Sequence, residues 1–272
     1  MFSTLFTNTF LQLLHSIGAL AAVGFLVARL NAIFYSQCGA AAARVARVTG
    51  IIGTPVHEFG HAFFCLLFRH KIHEIKFYAP RGNTFGHVRH SFNPRSFYQK
   101  TGRFFIGIGP IPFGAAILAL LLWMLLPHTF EGLHNRLRLL AAAAGGGGMP
   151  LGLLRETLSG ALTDFFSGAN IANPLWWLYL VPAFAIALHV NLSKSDIEGA
   201  LPGASCFVLL VTLANVIAFL FGAKALASYN AAFLQVCMLM TGTMLLCVFF
   251  CLLGIAVALP LRLVSAQLRR HG

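Results

Sequence analysis

Residues 50–68 read GIIGTPVHEFGHAFFCLLF, an apolar run that is long enough to cross a bilayer. His57, Glu58 and His61 lie in the middle of this run. Two histidines four residues apart project from one face of a helix, about one turn from each other, and can bind the same metal ion. An ionisable group at membrane depth is costly, so its position here predicts a functional site.

The composition of the whole chain is typical of a membrane protein. Of its 272 residues, 58% are hydrophobic and 10% are charged, whereas soluble domains average about 45–50% and about 25%. The formal net charge of +12 does not predict nucleic-acid binding, because the basic residues lie in the connections between apolar segments. Membrane orientation and anionic lipids account for basic residues in such places. The six cysteines form no CxxC pair, and most lie in apolar runs.

Six segments are long and apolar enough to span a bilayer. We predict an all-α polytopic membrane protein, one integral membrane domain over residues 1–272, with about six transmembrane helices. The predicted spans are 11–34, 46–68, 104–126, 174–192, 204–227 and 233–260.

The connection after the second span differs from the others. It alternates polar and apolar residues on both sides of PRGN at 80–83, and this pattern predicts a β-hairpin within residues 72–98. On the opposite side of the membrane, AAAAGGGG at 141–148 predicts a flexible spacer.

The basic residues also predict the orientation. The connection between the second and third spans holds eight of the 19 Lys and Arg residues. A six-span topology places it on the same side as both termini. Because basic loops favour the cytoplasmic side, we expect both termini to be cytoplasmic, in a bacterial inner (plasma) membrane. His57 and His61 then lie in the cytoplasmic half of the second span.

Two histidines leave zinc short of ligands, since a catalytic zinc has three protein ligands and a water molecule. The chain has seven acidic residues, and the orientation favours Asp196, just beyond the fourth span, as the third ligand. Asp196 also ends Ser193-x-x-Asp196, a pattern typical of a capping box at the start of a helix. His189 is the rival ligand. If Asp196 is the ligand, His189 and Asn191 become supporting donors.

HEFGH in a membrane helix resembles the site-2 protease family of intramembrane zinc metalloproteases. NLSKSDIEG at 191–199 is similar to that family's second motif, Asn-x-x-Pro…Asp-Gly. It lacks the proline, shortens the spacing from Asn to Asp, and separates Asp from Gly. GIGP at 107–110 is similar to the Gly-Pro element of these proteases. The resemblance covers residues 46–200.

The resemblance implies a metalloprotease core over residues 46–200, with accessory spans in 1–45 and 201–272. It implies that the hairpin is membrane-associated and pairs with an unwound strand of the substrate. The expected partners are a transmembrane protein substrate and the lipid bilayer, and no nucleic acid.

The resemblance also implies a metalloendopeptidase with one Zn²⁺ per chain, held by His57, His61 and Asp196, and with Glu58 as the catalytic base. Two other functions remain open. A non-proteolytic scaffold or a metal transporter would retain the zinc site, and the altered second motif allows this. Three histidine pairs allow a histidine-box oxygenase or desaturase with two irons, although such sites need more histidines than these pairs supply: His57 and His61, His70 and His73, and His87 and His90.

Overall fold

The computed structural model describes residues 2–80, 85–144 and 151–271. Helices make up most of the structure. Their bounds are α1 (Phe2–Leu13), α2 (Ala19–Cys38), α3 (Ala42–Leu67), α4 (Phe97–Ile108), α5 (Pro110–Leu125), α6 (Pro127–Ala144), α7 (Leu151–Phe165), α8 (Gly168–Ile171), α9 (Pro174–Ala187), α10 (Lys194–Leu220) and α11 (Ala223–His271). A π-helical turn (Leu14–Gly18) joins α1 to α2, and a 3-10 turn (Gly39–Ala41) joins α2 to α3.

The fold is that of a helical, membrane-embedded protein. Among the described residues, three helical segments are long and apolar enough to cross a membrane: Ser3–Leu67, Lys194–Leu220 and Ala223–Pro260. The pair α4 and α5 counts as a fourth if it forms one span, although the two helices are bent by 60°. The predicted helical membrane class is therefore confirmed, whereas the number of six spans is not.

The difference in span number has two physical causes. Ser3–Leu67 is 65 residues long, far more than the roughly 20 residues that one crossing needs. Gly39, with a φ of 53°, interrupts its helical path, so two of the predicted spans fall within this segment. The predicted fourth span corresponds to α9, which has only 14 residues because the chain leaves the helix at Leu188.

The predicted β-hairpin is confirmed. Strands β1 (Lys71–Lys76) and β2 (His87–Ser91) pair antiparallel, with a register irregularity between Ile72 and Glu74. The predicted turn residues 81–83 lie outside the described residues, as do residues 145–148 of the predicted spacer.

Charged side chains hold the two strands together on their exposed face. Glu74 lies 2.9 Å from Lys76 Nζ and 3.4 Å from His87 Nε2 and from Arg89. The neighbouring Lys76 and His87 side chains lower the pKa of Glu74 to about 2. The hairpin therefore keeps a charged outer face.

The buried core lies where α5, α9 and α11 meet. Ile111, Leu118, Tyr179, Ile186 and Phe250 are all less than 2% exposed there. Helix α2 packs along α11 and contributes Val27 to the same core. The helices before and after residues 46–200 are thus packed directly against the helices that carry the candidate site.

Candidate metal centre

The first turn of α10 lies beside the middle of α3 and brings Asp196 to the two histidines. The Nε2 of His61 lies 3.1 Å from the Nε2 of His57 and 3.3 Å from Asp196 Oδ1. The Nε2 of His57 lies 3.8 Å from Asp196 Oδ2. The ligand atoms all lie within 4.8 Å of one another, so this group can hold a metal ion. It is the one cluster of at least three such ligands in the described part of the chain.

Backbone carbonyls fix both imidazole rings. The Nδ1 of His57 is 2.8 Å from the carbonyl oxygen of His189, and the Nδ1 of His61 is 2.7 Å from that of Ile106. A carbonyl only accepts, so each Nδ1 carries the hydrogen and each neutral ring has its lone pair on Nε2. Two lone pairs that face each other beside a carboxylate fit a bound cation, because they cannot hydrogen-bond with each other. Outer hydrogen bonds of this kind are typical of metal-ligating histidines.

The carbonyl that holds His61 lies at a helix break that contains a proline. In a continuous helix, the carbonyl of Ile106 would accept from the N–H of residue 110, but Pro110 has none. Instead this carbonyl accepts from the N–H of Gly109 at 3.3 Å and from His61. The chain bends by 60° at this point, between α4 and α5, so the Gly-Pro element that the sequence singled out lies where a backbone carbonyl also accepts from a candidate ligand.

Asp196 takes part in a capping box and also faces the two histidines, so the two hypotheses that the sequence left open are compatible. Its Oδ2 accepts from the N–H of Ser193 at 2.7 Å, and its own N–H donates to Ser193 Oγ at 3.2 Å, which completes a capping box. Its Oδ1 faces His61. The cap therefore holds the carboxylate in place, with an oxygen directed at the histidines.

Glycines allow α3, the α4–α5 break and the first turn of α10 to pack closely together. A Cβ on Gly107 would collide with the backbone carbonyl of Asp196 and would lie 2.7 Å from the Cβ of Ala200. A Cβ on Gly60, inside HEFGH, would lie 2.8 Å from the Cα of Pro110. Only glycine fits at these two positions, so the α4–α5 break can lie between α3 and the start of α10.

His189 lies beside the site, but its ring points elsewhere. Its Nε2 lies 3.0 Å from Thr49 Oγ1, and its Nδ1 lies 3.4 Å from Thr54 Oγ1. The structure therefore places His189 in a supporting position, acting on His57 through its backbone carbonyl, and it brings Asp196 rather than His189 to the two histidines. Asn191 lines the cavity beside them.

Glu58 lies in the same cavity as the three candidate ligands. The cavity has a volume of about 660 Å³, and Glu58 is 5% exposed. On the hairpin side, Gly86 lies so close that a Cβ there would be 2.8 Å from Glu58 Oε1. A buried carboxyl beside a candidate metal site can serve as a proton acceptor for water.

The remaining histidines of the connection pair within the hairpin region. His70 Nε2–H donates to the carbonyl of Gln99 at 2.8 Å, and its Nδ1 lies 3.0 Å from the Nδ1 of His90. Burial lowers the pKa of both rings, to about 4 for His90, where the neighbouring His70 and Arg103 act in the same direction. His73 contacts Ser91 at 2.7 Å. This pairing does not favour a second, histidine-rich metal site.

Neither the carbonyl of Ile106 nor the side chains of Thr49 and Thr54 were predicted from the sequence. The signal for Ile106 was present, however, because Pro110 follows it by four residues. Thr49 and Thr54 precede His57 by about two turns and one turn, so they lie on the same stretch of α3.

Comparisons of the chain with models of protein families, with curated proteins and with solved structures find no match. The fold and the site define a class: a helical, membrane-embedded protein with a His-His-Asp group that can hold a metal ion.

Proposed function

We propose that the protein is an intramembrane zinc metalloprotease that hydrolyses a peptide bond in or near a transmembrane segment of a membrane protein. One observation carries this proposal. The two histidines of the HExxH pattern converge with Asp196, while the glutamate of the same pattern lines the cavity next to them. Two imidazoles and one carboxylate are a ligand set of known catalytic zinc sites.

The surroundings of the site support a substrate within the membrane. On the face of α3 away from the ligands, Phe59 and Phe63 are each 49% exposed and Leu66 is 69% exposed. Such an apolar face is costly in water and is satisfied by lipid. A cavity on the inner face of the same helix is therefore suited to a chain that arrives from the bilayer.

In this proposal His57, His61 and Asp196 would hold one zinc ion per chain. A bound zinc ion supplies Lewis acidity, which polarises a carbonyl and brings the pKa of water to about 7. Glu58 accepts the proton of the attacking water and delivers it to the nitrogen of the leaving amine. Asn191, which lines the cavity, would donate a hydrogen bond to the developing oxyanion.

A helical substrate must unwind before its peptide bond becomes accessible, because its backbone groups are already hydrogen-bonded. The two-stranded sheet offers strand edges on which an unwound segment can find replacement hydrogen bonds. We further propose six crossings, with α2, α3 and α9 each counted as one, and both termini on the cytoplasmic side of a bacterial inner membrane.

Glu58→Gln tests the catalytic assignment. Purified protein in detergent or liposomes is incubated with candidate transmembrane substrates, and cleavage is compared with that by Glu58→Gln. We expect the variant to bind zinc as the parent does and to lose cleavage. Glu198→Gln is the matched control, because Glu198 lies on α10, is exposed and pairs with Lys194 at 3.6 Å. Equal cleavage by the parent and Glu58→Gln would exclude the protease assignment, and zinc binding without cleavage by either would favour a scaffold.

A further inference from the structure

The end of α9 is held from three sides. Three successive carbonyls, those of Ala187, Leu188 and His189, accept hydrogen bonds from side chains of other helices. The carbonyl of His189 is the acceptor for His57 Nδ1 at 2.8 Å. The other two are reached from α2 and α11, outside residues 46–200.

Asn31 on α2 reaches the first two of these carbonyls. Its Nδ2 donates to the carbonyl of Leu188 at 3.1 Å and to that of Ala187 at 3.3 Å. Cys251 on α11 completes the group, since its Sγ lies 3.1 Å from Asn31 Oδ1 and 3.4 Å from the carbonyl oxygen of Ala187. Asn31 is 2% exposed, and Cys251 and Ala187 are fully buried.

The chemistry explains why a polar side chain is needed here. The last carbonyls of a helix have no donor within the helix, and an unpaired carbonyl in an apolar interior is costly. The side-chain amide of Asn31 supplies the missing N–H groups to these carbonyls. The thiol of Cys251 donates in turn to the amide oxygen of Asn31. The backbone at Ala187 and Leu188 is therefore fixed in position directly before His189.

We propose that Asn31, supported by Cys251, is a positioning residue for the metal centre. By fixing Ala187 and Leu188 it holds the carbonyl of His189 in place, and that carbonyl keeps the Nε2 of His57 directed at the metal. The inference rests on the metal site of the proposed function. It gives α2 and α11 a part in forming that site.

Asn215 is the matched control that tests whether Asn31 has only a structural role. Asn215 is 1% exposed, lies on α10, and donates to Gln12 Oε1 at 2.7 Å. It belongs to a polar cluster with Gln12 and Asn230, and its hydrogen bonds among the described residues do not reach the metal centre or the end of α9. Loss of either asparagine is expected to lower the unfolding temperature, but only loss of Asn31 should change metal binding.

The test uses full-length Asn31→Leu and Asn215→Leu. Zinc affinity is measured by competition with a chelator, the visible spectrum is recorded with Co²⁺ as the probe, and the unfolding temperature of the metal-free protein is measured. We expect Asn31→Leu to weaken zinc binding by about 10-fold or more and to change the Co²⁺ spectrum. Asn215→Leu should leave both unchanged. Parental zinc affinity and spectrum in Asn31→Leu would overturn the proposal, as would equal weakening in both variants.

Cys251 provides a second route if Asn31→Leu does not fold. Cys251→Ala removes the donor to Asn31, whereas Cys251→Ser keeps one. We expect weaker zinc binding in Cys251→Ala and near-parental binding in Cys251→Ser, and equal, parental affinity in both would overturn the inference. Failure of the parent protein to bind zinc would instead be the failure of the proposed function, and the parent measurement separates these two results.

Discussion

The Nδ1–H of His61 donates to the backbone carbonyl of Ile106 at 2.7 Å, so a candidate metal ligand on α3 is oriented by the last turn of α4. The same carbonyl accepts from the N–H of Gly109 at 3.3 Å, and residue 110, a proline, has no N–H to compete for it. The backbone at the α4–α5 break thus determines which ring nitrogen of His61 faces His57 and Asp196.

Pro110→Ala should therefore weaken metal binding. The alanine N–H can bond to the carbonyl of Ile106 within a straighter helix and compete with His61. We expect zinc affinity to fall by about 10-fold, measured by chelator competition. Pro112→Ala is the control, since Pro112 lies in the first turn of α5, where the missing N–H frees no acceptor of a ligand. Unchanged affinity in Pro110→Ala would contradict this account of the break.

The two roles of Asp196 can be separated by a pair of variants. Asp196→Asn keeps an oxygen that can accept from the N–H of Ser193 but loses the negative charge, so we expect zinc binding to be lost with little change in unfolding temperature of the metal-free protein. Ser193→Ala removes the other capping bond, which costs about 1 kcal/mol of stability, and should retain zinc. Metal analysis and thermal unfolding check both. Retention of zinc by Asp196→Asn would remove Asp196 from the ligand set.

Gly107→Ala should disturb the site through packing alone. The added methyl group collides with the carbonyl of Asp196, and overpacking of this kind costs about 1–3 kcal/mol. We expect a lower free energy of unfolding together with weaker zinc binding, because α10 must move away from α4. Gly199→Ala is the control, with nothing within 4 Å of its Cβ position. If Gly107→Ala bound zinc as the parent does, the close approach would not be needed for the site.

Acidification should destabilise the hairpin region through His70 and His90. Burial lowers the pKa of His90 from 6.5 to about 4, so the folded state holds the neutral ring while the unfolded state takes up a proton. The stability from neutral His90 is thus complete above pH 6.5 and is lost as the pH falls from 6.5 towards 4. The pKa of His70 is lowered in the same direction, and its protonation removes the acceptor for His90.

The measurement is the unfolding temperature of the metal-free protein between pH 7 and pH 5, for the parent and for His90→Gln. We expect the parent to lose more over this range than the variant. The pKa of Glu74 is lowered from 4.5 to about 2, so its protonation changes the stability only below this pH range. His73→Gln, at an exposed position on the paired strand β1, should retain the parental pH dependence. The same pH dependence in the parent and His90→Gln would contradict the prediction.

The local patterns in the sequence predicted much of this arrangement. Helical spacing placed His57 and His61 on one face, and polar alternation predicted the hairpin. The capping pattern at Ser193 and Asp196 was also correct, and it is compatible with the metal site because a carboxylate has two oxygens. These features depend on residues that are close in the chain.

Features that depend on distant residues were not predicted. Asn31 and Cys251 lie 220 positions apart and contact carbonyls of α9. Every residue has a backbone carbonyl, so the sequence does not indicate which of them accepts a hydrogen bond. The six predicted spans are not confirmed, because α9 ends at Ala187 while the apolar residues continue beyond it. His189 was named as a candidate ligand or supporting residue, but its position is defined by Thr49 and Thr54, which only the fold brings to it.

The shortness of α9 has a consequence for the bilayer itself. Its 14 residues reach about 21 Å at 1.5 Å per residue, whereas the hydrocarbon layer is about 30 Å thick. Lipids beside such a helix adapt by thinning the layer, at a modest free-energy cost per Å of mismatch. If α9 crosses the membrane as proposed, the thinning would occur next to the helix end that holds His57 and would draw headgroups and water towards the cavity. In the proposed protease, hydrophobic mismatch would then supply the water for hydrolysis without a separate channel through the helices.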